Sequence, residues 1–275
     1  VGSGFSERTQ LAMAVAAAGG RLLETGATER ARQDFVQVKS SRELVTALDR
    51  RVESMAVEMI RSRFPADAVK GEEGAEAGAG SGEAACWLVD PIDGTFNFVR
   101  DIPAYCVSVA YLLGGRLHGG AVYDPVRDEL FVAERGRGAY LNGQPISVSG
   151  ARRSQDCLLA VFFPAGPDGY LIASHFELFG HILPEIRDIR RVGAAALDLA
   201  WVACGRLDGS FEVHLHPWDI AAGIVLVEEA GGLVTDWHGG ADYLRSGSIV
   251  ATNGHIHSWL LDKIERHFVD KDYID

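Results

Sequence analysis

Cysteine is scarce in this sequence: Cys86, Cys106, Cys157 and Cys204 are the only four in 275 residues, and they lie far apart with no C-x-x-C pair. A disulfide-stapled miniprotein is excluded, and a reducing, cytoplasmic location is the expectation. Long apolar runs are missing as well. Asp198, Glu228 and Glu229 break the best candidates before they reach the ~18 residues of a membrane span. Basic charge is in deficit, 26 Lys and Arg against 38 Asp and Glu, for a formal net charge of -12. A surface of that sign repels phosphate backbones and anionic lipid, so direct nucleic-acid binding and membrane association are not expected. There is also no internal repeat and no long linker.

What is present is apolar material for a sizeable core: 47% of residues are hydrophobic and 23% charged, the balance of a folded chain. At this length one large domain and two fused lobes are both open. An acidic chain can still handle a phosphorylated substrate where bound cations invert the field locally. The opening Val1-Gly2-Ser3-Gly4 has no initiator Met and reads as a processing remnant or tag scar. Leu11, Val15, Ala18 and Leu22 recur at helical spacing, which predicts an amphipathic helix in place of a signal-peptide core. A second helical pattern runs from about Arg42, with Leu44, Leu48, Val52, Met55 and Met59 on one face, Asp49 on its polar shoulder and Pro65 as its stop.

The Gly- and Ala-rich stretch from Gly71 to Gly82 cannot pack and reads as a mobile loop. Strand-like segments follow at Trp87 to Val89, Val107 to Leu113, Gly119 to Tyr123 and Glu129 to Ala133, with a turn at Asn142-Gly143. Helices laid on a largely antiparallel sheet are expected there. After about Gly150 strands and helices alternate: strands at Leu158 to Phe163, Ile189 to Val192, Phe211 to Val213 and Ile249 to Ala251, helices at Tyr170 to Leu183, Ala194 to Cys204, Pro217 to Ala230 and His257 to Phe268. The economical organisation is an α+β lobe over 1–150 and an α/β lobe over 151–275.

The segment Trp87-Leu88-Val89-Asp90-Pro91-Ile92-Asp93-Gly94-Thr95-Phe96-Asn97-Phe98 is the most informative in the chain. It sets two carboxylates three residues apart where an apolar strand ends in a turn. Held together, such groups repel unless a proton or a cation lies between them, and oxygen donors of this kind suit Mg²⁺. Gly94-Thr95 lets backbone N–H groups approach an anion beside that cation. An Asx-turn with two solvated acids is the alternative. His216-Pro217-Trp218-Asp219 places an acid in the first turn of a predicted helix, where it can simply stabilise the helix or reach a shared site. Glu72 and Glu73 stand on the glycine-rich loop, either as metal-facing groups or as solvated acids.

In that order and at those intervals, GEE, WLVDPIDGTFNF, HPWDIAAG and VEEAGG resemble the inositol monophosphatase family, in particular its bacterial branch. The resemblance runs from roughly Leu11 to Ile264 and includes DFVQVKSSRELVTALDR and RRVGAAALDLAWVACGRLDG. It implies the layered αβαβα sandwich of the inositol monophosphatase and fructose bisphosphatase type, homodimers, and an Mg²⁺-dependent phosphomonoesterase with two or three ions per site. It also implies a ligand set: Glu72, Asp90, the Ile92 carbonyl, Asp93 and Asp219, with Glu73 and His216 behind them. Thr95 and Asp49 would orient a water, and Gly94 and Thr95 would hold the phosphoryl oxygens. Asp93, Gly193, Ala194, Ala195 and Glu212 would line the place of a small polyol such as that of inositol 1-phosphate. Ala194 stands where the family usually has Ser or Thr, which removes a hydroxyl and predicts looser specificity; Phe96 stands where Thr is common and reads as a packing variation.

Relatives in the family act on fructose 1,6-bisphosphate, histidinol phosphate or 3′-phosphoadenosine nucleotides, and the bacterial branch includes members whose role involves RNA and the transcription machinery. A regulatory protein is therefore the reading from a different class. His214-Leu215-His216 has the look of zinc spacing, but alternate residues of a strand share a face as a matter of ordinary geometry. Arg152-Arg153 and the run from Arg187 to Arg191 read as solvated or interface clusters, and Cys157 has no His at readable spacing to make it a nucleophile.

Overall fold

A computed structural model of the chain describes residues 4–26, 36–38, 44–74, 76–77, 84–163 and 169–268. The first helix, α1 (Glu7–Gly26), is followed by a two-stranded ribbon of β1 (Val36–Val38) and β2 (Leu44–Thr46), then α2 (Ala47–Arg63). Next come β3 (Ala68–Gly71), β4 (Glu76–Ala77), β5 (Cys86–Asp93), the short helix α3 (Thr95–Val99), β6 (Cys106–Leu113), β7 (Arg116–Asp124), β8 (Glu129–Glu134), β9 (Ala139–Leu141) and β10 (Gln144–Ile146). These strands make one sheet in the order β10-β9-β8-β7-β6-β5-β3-β4, antiparallel except where β3 runs parallel to β5.

The second half contributes β11 (Leu158–Val161), α4 (Gly169–Ile182), β12 (Asp188–Arg190), α5 (Ala195–Ala203), β13 (Gly209–Glu212), α6 (Pro217–Glu229), β14 (Leu233–Thr235), α7 (Tyr243–Ser246), β15 (Ile249–Thr252) and α8 (His257–Phe268). Its sheet has the order β12-β11-β13-β15-β14 and mixed direction. All described strands of the larger sheet precede residue 150 and all those of the smaller sheet follow it.

Five layers result. Helices α1 and α2 cover one face of the larger sheet, α5 and α6 fill the space between the two sheets, and α4 and α8 cover the outer face of the smaller one. The central pair explains its own sequence: Ile220 to Val227 of α6 are all buried, and a helix enclosed on every side carries no polar stripe. The alternation read from the sequence after Gly150 matches these elements to within about two residues at each end.

Several expectations are corrected. The buried stripe of α1 is Ala12, Val15, Ala16, Gly19 and Leu23, rotated from the expected Leu11, Ala18 and Leu22, which are only partly buried. The helix seats on its smallest residues: a Cβ at Gly19 would stand 3.1 Å from Val107, and one at Gly20 would overlap Tyr123. Helix α2 begins at Ala47, capped by Thr46, rather than near Arg42, so Leu44 belongs to β2. Asp49 is 1% exposed and lies on no polar shoulder. The stretch expected as a loop from Gly71 contains the end of β3 and the strand β4, while 75 and 78–83 lie outside the described residues. Phe96 is 49% exposed, so it is not packed into the core. No described helix is long and apolar enough to cross a membrane.

Candidate active site

One cavity of about 180 Å³ is lined by Glu72, Asp90, Ile92, Asp93, Gly94, Thr95, Arg191, Gly193, Ala195, Glu212, Leu215 and Asp219. It opens where the ends of β3, β5 and β13 meet the starts of α3, α5 and α6. Of the residues singled out from the sequence, the cavity gathers Glu72, Asp90, Ile92, Asp93, Gly94, Thr95, Gly193, Ala195, Glu212 and Asp219. Ala194, Asp49, Glu73 and His216 are not on its lining.

A bulge in β5 sets the first two acids. Asp90 pairs with Ser108 and Asp93 with Cys106, so three steps on β5 oppose two on β6. Without the extra residue, positions three apart would face opposite sides of the sheet; with it, Asp90 and Asp93 face the same cavity. Pro91 fits at such a break because it has no N–H to donate to a ladder. The Ile92 N–H donates to Asp90 Oδ1 at 2.9 Å, and the Thr95 hydroxyl donates to the Ile92 carbonyl at 2.9 Å. Gly94 takes φ +89°, and a Cβ there would lie 2.9 Å from the Ala104 carbonyl, so the turn admits only glycine.

Asp93 joins the halves of the molecule. Its carboxylate accepts from the N–H groups of Ala195 at 3.0 Å and Ala196 at 2.8 Å, and from the Cys106 thiol. It thereby caps α5, a task that Ala194 at the N-cap cannot perform because it has no side-chain acceptor. Asp219 sits in the first turn of α6 and accepts from the His216 N–H at 2.7 Å, and the His216 ring stacks on Trp218. Glu72 follows β3, whose parallel pairing sets Gly71 beside Val89, and the Glu72 N–H donates to the Val89 carbonyl.

The charges answer to burial. Asp90 is pushed well above the usual carboxylate range by burial and then by the charges of Glu72, Asp93, Asp219 and Asp49. Burial also raises Asp219, against the His216 amide. Asp93 is raised to about 6 by burial, with the Cys106 thiol and three backbone amides pulling the other way. Glu212 is raised to about 8 by burial, partly offset by Arg191. A site this crowded with acids calls for positive charge.

Carboxylate and carbonyl oxygens are the donors that hard divalent cations take. Among the described residues no three or more His, Cys, Asp and Glu side chains stand close enough together to hold a metal ion. Mg²⁺ asks for less than that, since it binds through one or two carboxylates and keeps several waters. Asp49 supplies the second mark of fit. Its Oδ2 accepts from the Thr46 N–H and hydroxyl at 2.6 Å, while its buried Oδ1 has no partner, and burial lifts it to about 6. An ordered water or a hydroxyl would complete it.

A larger cleft of about 360 Å³, lined by Arg127, Leu158, Arg190, Trp201, Arg206 and Leu207, offers no carboxylate. Its three arginines are already paired, with Asp124, Asp188 and Glu129. It has no chemistry comparable with the acidic cavity.

The sequence reading missed four contributors. Glu53, 5% exposed on α2, accepts from the Glu73 N–H at 2.8 Å and packs under Gly71, where a Cβ would overlap it. It stands one helical turn after Asp49, a spacing that could have marked it. Asn97 donates to the carbonyls of Ala104 at 2.7 Å and Val192 at 2.9 Å and so ties α3 to the strand of chain before α5. Asp198 is buried inside α5, with Oδ1 unpartnered and its carboxyl raised by burial and by Glu212. Arg191 lines the cavity, which corrects the reading of the whole Arg187 to Arg191 run as solvated or interface residues.

Acids on a bulged strand beside a glycine turn, with a further acid in the first turn of α6, converge between two sheets in the manner of a phosphatase-family fold. The chain belongs to the inositol monophosphatase family, whose model matches residues 5–268. It is 43% identical over 218 residues to the Nus factor SuhB of Escherichia coli, covering 79% of this chain and 81% of that protein. Among solved structures it superposes on the SuhB extragenic suppressor protein of Bartonella henselae with a TM-score of 0.90 at 37% identity, covering 96% and 100% of the two chains. The Thermotoga maritima IMPase gives a TM-score of 0.85 at 32% identity, covering 96% and 99%.

Proposed function

We infer that this chain is an Mg²⁺-dependent phosphomonoesterase for small polyol or sugar phosphates, of which inositol 1-phosphate is the model. The observation that carries the reading is the convergence of Glu72, Asp90, Asp93 and Asp219 with the Gly94-Thr95 turn on one small cavity. In this reading Glu72, Asp90, the Ile92 carbonyl, Asp93 and Asp219 hold the ions. Bound Mg²⁺ supplies neutralisation of phosphoryl oxygens and a more acidic water.

The chain's own groups do the rest. The amides at Gly94 and Thr95 hold the phosphoryl oxygens in line, where fixed donors stabilise developing charge without reorganising. The Thr95 hydroxyl, oriented by the Ile92 carbonyl, and Asp49 with its free Oδ1 position the attacking water and take its proton. Glu212 offers a hydroxyl-binding carboxyl to the leaving alcohol, and Glu53 holds the turn that carries Glu72. His216 acts through its backbone amide on Asp219. The two lobes, 1–150 and 151–275, each supply part of the site, and a cytoplasmic homodimer is the working form. Fructose 1,6-bisphosphate, histidinol phosphate and 3′-phosphoadenosine nucleotides are the alternative substrates.

The test is phosphate release from a panel of these esters with and without Mg²⁺. Turnover of at least one, abolished by chelation, is expected; no Mg²⁺-dependent release from any would overturn the reading. A second reading, a partner role in transcription, is favoured by the 43% identity to the Nus factor. Co-purification with bacterial RNA polymerase that survives Asp90→Asn would support that role independently of catalysis.

A further inference from the structure

Arg191 is the one cation among the described residues that line the acidic cavity. Its neighbours in sequence are committed elsewhere: Arg190 pairs with Asp188 at 2.6 Å and Arg187 with Asp156 at 3.3 Å. Arg191 makes no ion pair within 4 Å and no hydrogen bond among the described residues. The wall is shaped to admit it. Gly193 has φ +84°, and a Cβ on it would stand 2.7 Å from Arg191 Nη1, so the guanidinium lies across the bare backbone of the residue that borders the cavity.

Arg191 lines the cavity together with Gly193, Ala195 and Glu212, the wall contributed by the second half of the chain. Arg191 opposes the burial of Glu212 and Asp198, both from the second half of the chain. The leading charges around Asp90 are all acids, Glu72, Asp93, Asp219 and Asp49. The cation therefore belongs to the wall that faces the leaving alcohol. A purely neutral polyol would use the Glu212 carboxyl for a hydroxyl and leave the guanidinium, whose nearest charges are Glu212 and Asp198, without a hydrogen-bonding anion.

The geometry points to Arg191 as a specificity-determining residue that receives a second anionic group, a phosphate or a carboxylate, on the alcohol half of the substrate. This deepens the phosphomonoesterase reading and rests on it. A guanidinium matches either anion with two parallel N–H donors, and the fork is worth more than a point charge. The contact is open to solvent at the cavity mouth, so a moderate gain is expected rather than an absolute requirement.

The experiment compares matched esters: fructose 1-phosphate with fructose 1,6-bisphosphate, and glycerol 3-phosphate with 3-phosphoglycerate. Wild type is expected to prefer the more anionic member of at least one pair by about tenfold in kcat/KM, through KM rather than kcat. Arg191→Gln should bring that ratio to within about twofold, and Arg191→Lys should keep part of it. The pair that shows the preference identifies the second anion as phosphate or carboxylate. Equal use of both members of both pairs by wild type overturns the assignment. So does an equal loss on both members in Arg191→Gln, with its melting curve unchanged, because the guanidinium would then serve the phosphoryl group they share. Hydrolysis of inositol 1-phosphate with no release from any of the four esters also overturns the assignment, whereas absence of Mg²⁺-dependent release from inositol 1-phosphate as well as from all four sinks the phosphatase reading instead.

Discussion

Asp90, Ile92, Asp93, Gly94 and Thr95 form one wall of the cavity from six consecutive positions, whereas Arg191, Gly193, Ala195 and Glu212 on the other wall arrive from separate elements of the second half of the chain. The first wall is made by local rules: an apolar strand, a bulge at Pro91 and a glycine with positive φ. The second exists only because α5 and β13 are brought against it, and Asp93 holding the amides of α5 is the seam. Local construction gives a wall that is rigid and readable; long-range construction gives one that can be altered with less damage to the chemistry.

The comparison breaks most completely at Asp90. Asp90→Asn keeps the acceptor for the Ile92 N–H but removes a charge pressed by four other acids. Activity at saturating Mg²⁺ should fall by about 10³-fold or more, while the melting temperature of the metal-free protein rises. Phosphate release and calorimetry on the same preparation check both halves. Thr95→Ala comes next: kcat should drop by about 10²-fold with the Mg²⁺ activation midpoint unmoved, and a parallel shift of that midpoint would make Thr95 a ligand instead.

Glu53 tests the support beneath the acidic wall. Glu53→Ala leaves the Glu73 N–H without its acceptor and a void under Gly71, so the Mg²⁺ concentration for half-maximal activity should rise about tenfold, read from activation curves. Unchanged Mg²⁺ demand would show that the turn carrying Glu72 needs no such anchor.

The two walls also share a pH signature. Asp49 and Asp93 stand at about 6 and Glu212 at about 8 in the folded chain, each raised by burial. Unfolded, such groups titrate near ~4. Between those limits the native state binds more protons than the unfolded one, so metal-free stability falls as pH rises from about 4 through about 8. The melting temperature at pH 5 should exceed that at pH 8 by about 5 °C, and Mg²⁺ should narrow the gap. A flat or rising profile without metal would remove burial as the cause of the shifts.

The smallest effect is expected at Ala194. It is 3% exposed, occupies the α5 N-cap and does not line the cavity. The amides a hydroxyl there would cap are already held by Asp93, so Ala194→Ser should change denaturant unfolding by less than about 0.5 kcal/mol and substrate ratios by less than about threefold. A larger change in specificity would mean that the hydroxyl reaches the substrate.

Much of this was legible in one dimension. The strands and helices after Gly150, the turn at Asn142-Gly143, the apolar run of α6 and the pairing of Asp90 with Asp93 follow from periodicity and spacing, whereas Asp219 is marked as a ligand only by the family resemblance and β5 runs on to Asp93, past the expected end at Val89. The face of α1 was not legible, because Leu11 and Leu22 outrank Gly19 and Gly20 in hydrophobicity and only the close approach of Val107 and Tyr123 selects the glycine side. The start of α2 was misread because a continuous apolar pattern hides the cap at Thr46.

By itself the sequence determined the acidic wall, since six adjacent residues carry their relative geometry in bond lengths and one bulge. Tertiary structure alone decided which of five nearby arginines, Arg152, Arg153, Arg187, Arg190 and Arg191, faces the cavity. All five look alike in sequence, and exposure and pairing are properties of what lies across from them. The same holds for Glu53 and Asp49, polar residues on a helix whose burial depends on a strand and a turn packed against them from elsewhere in the chain.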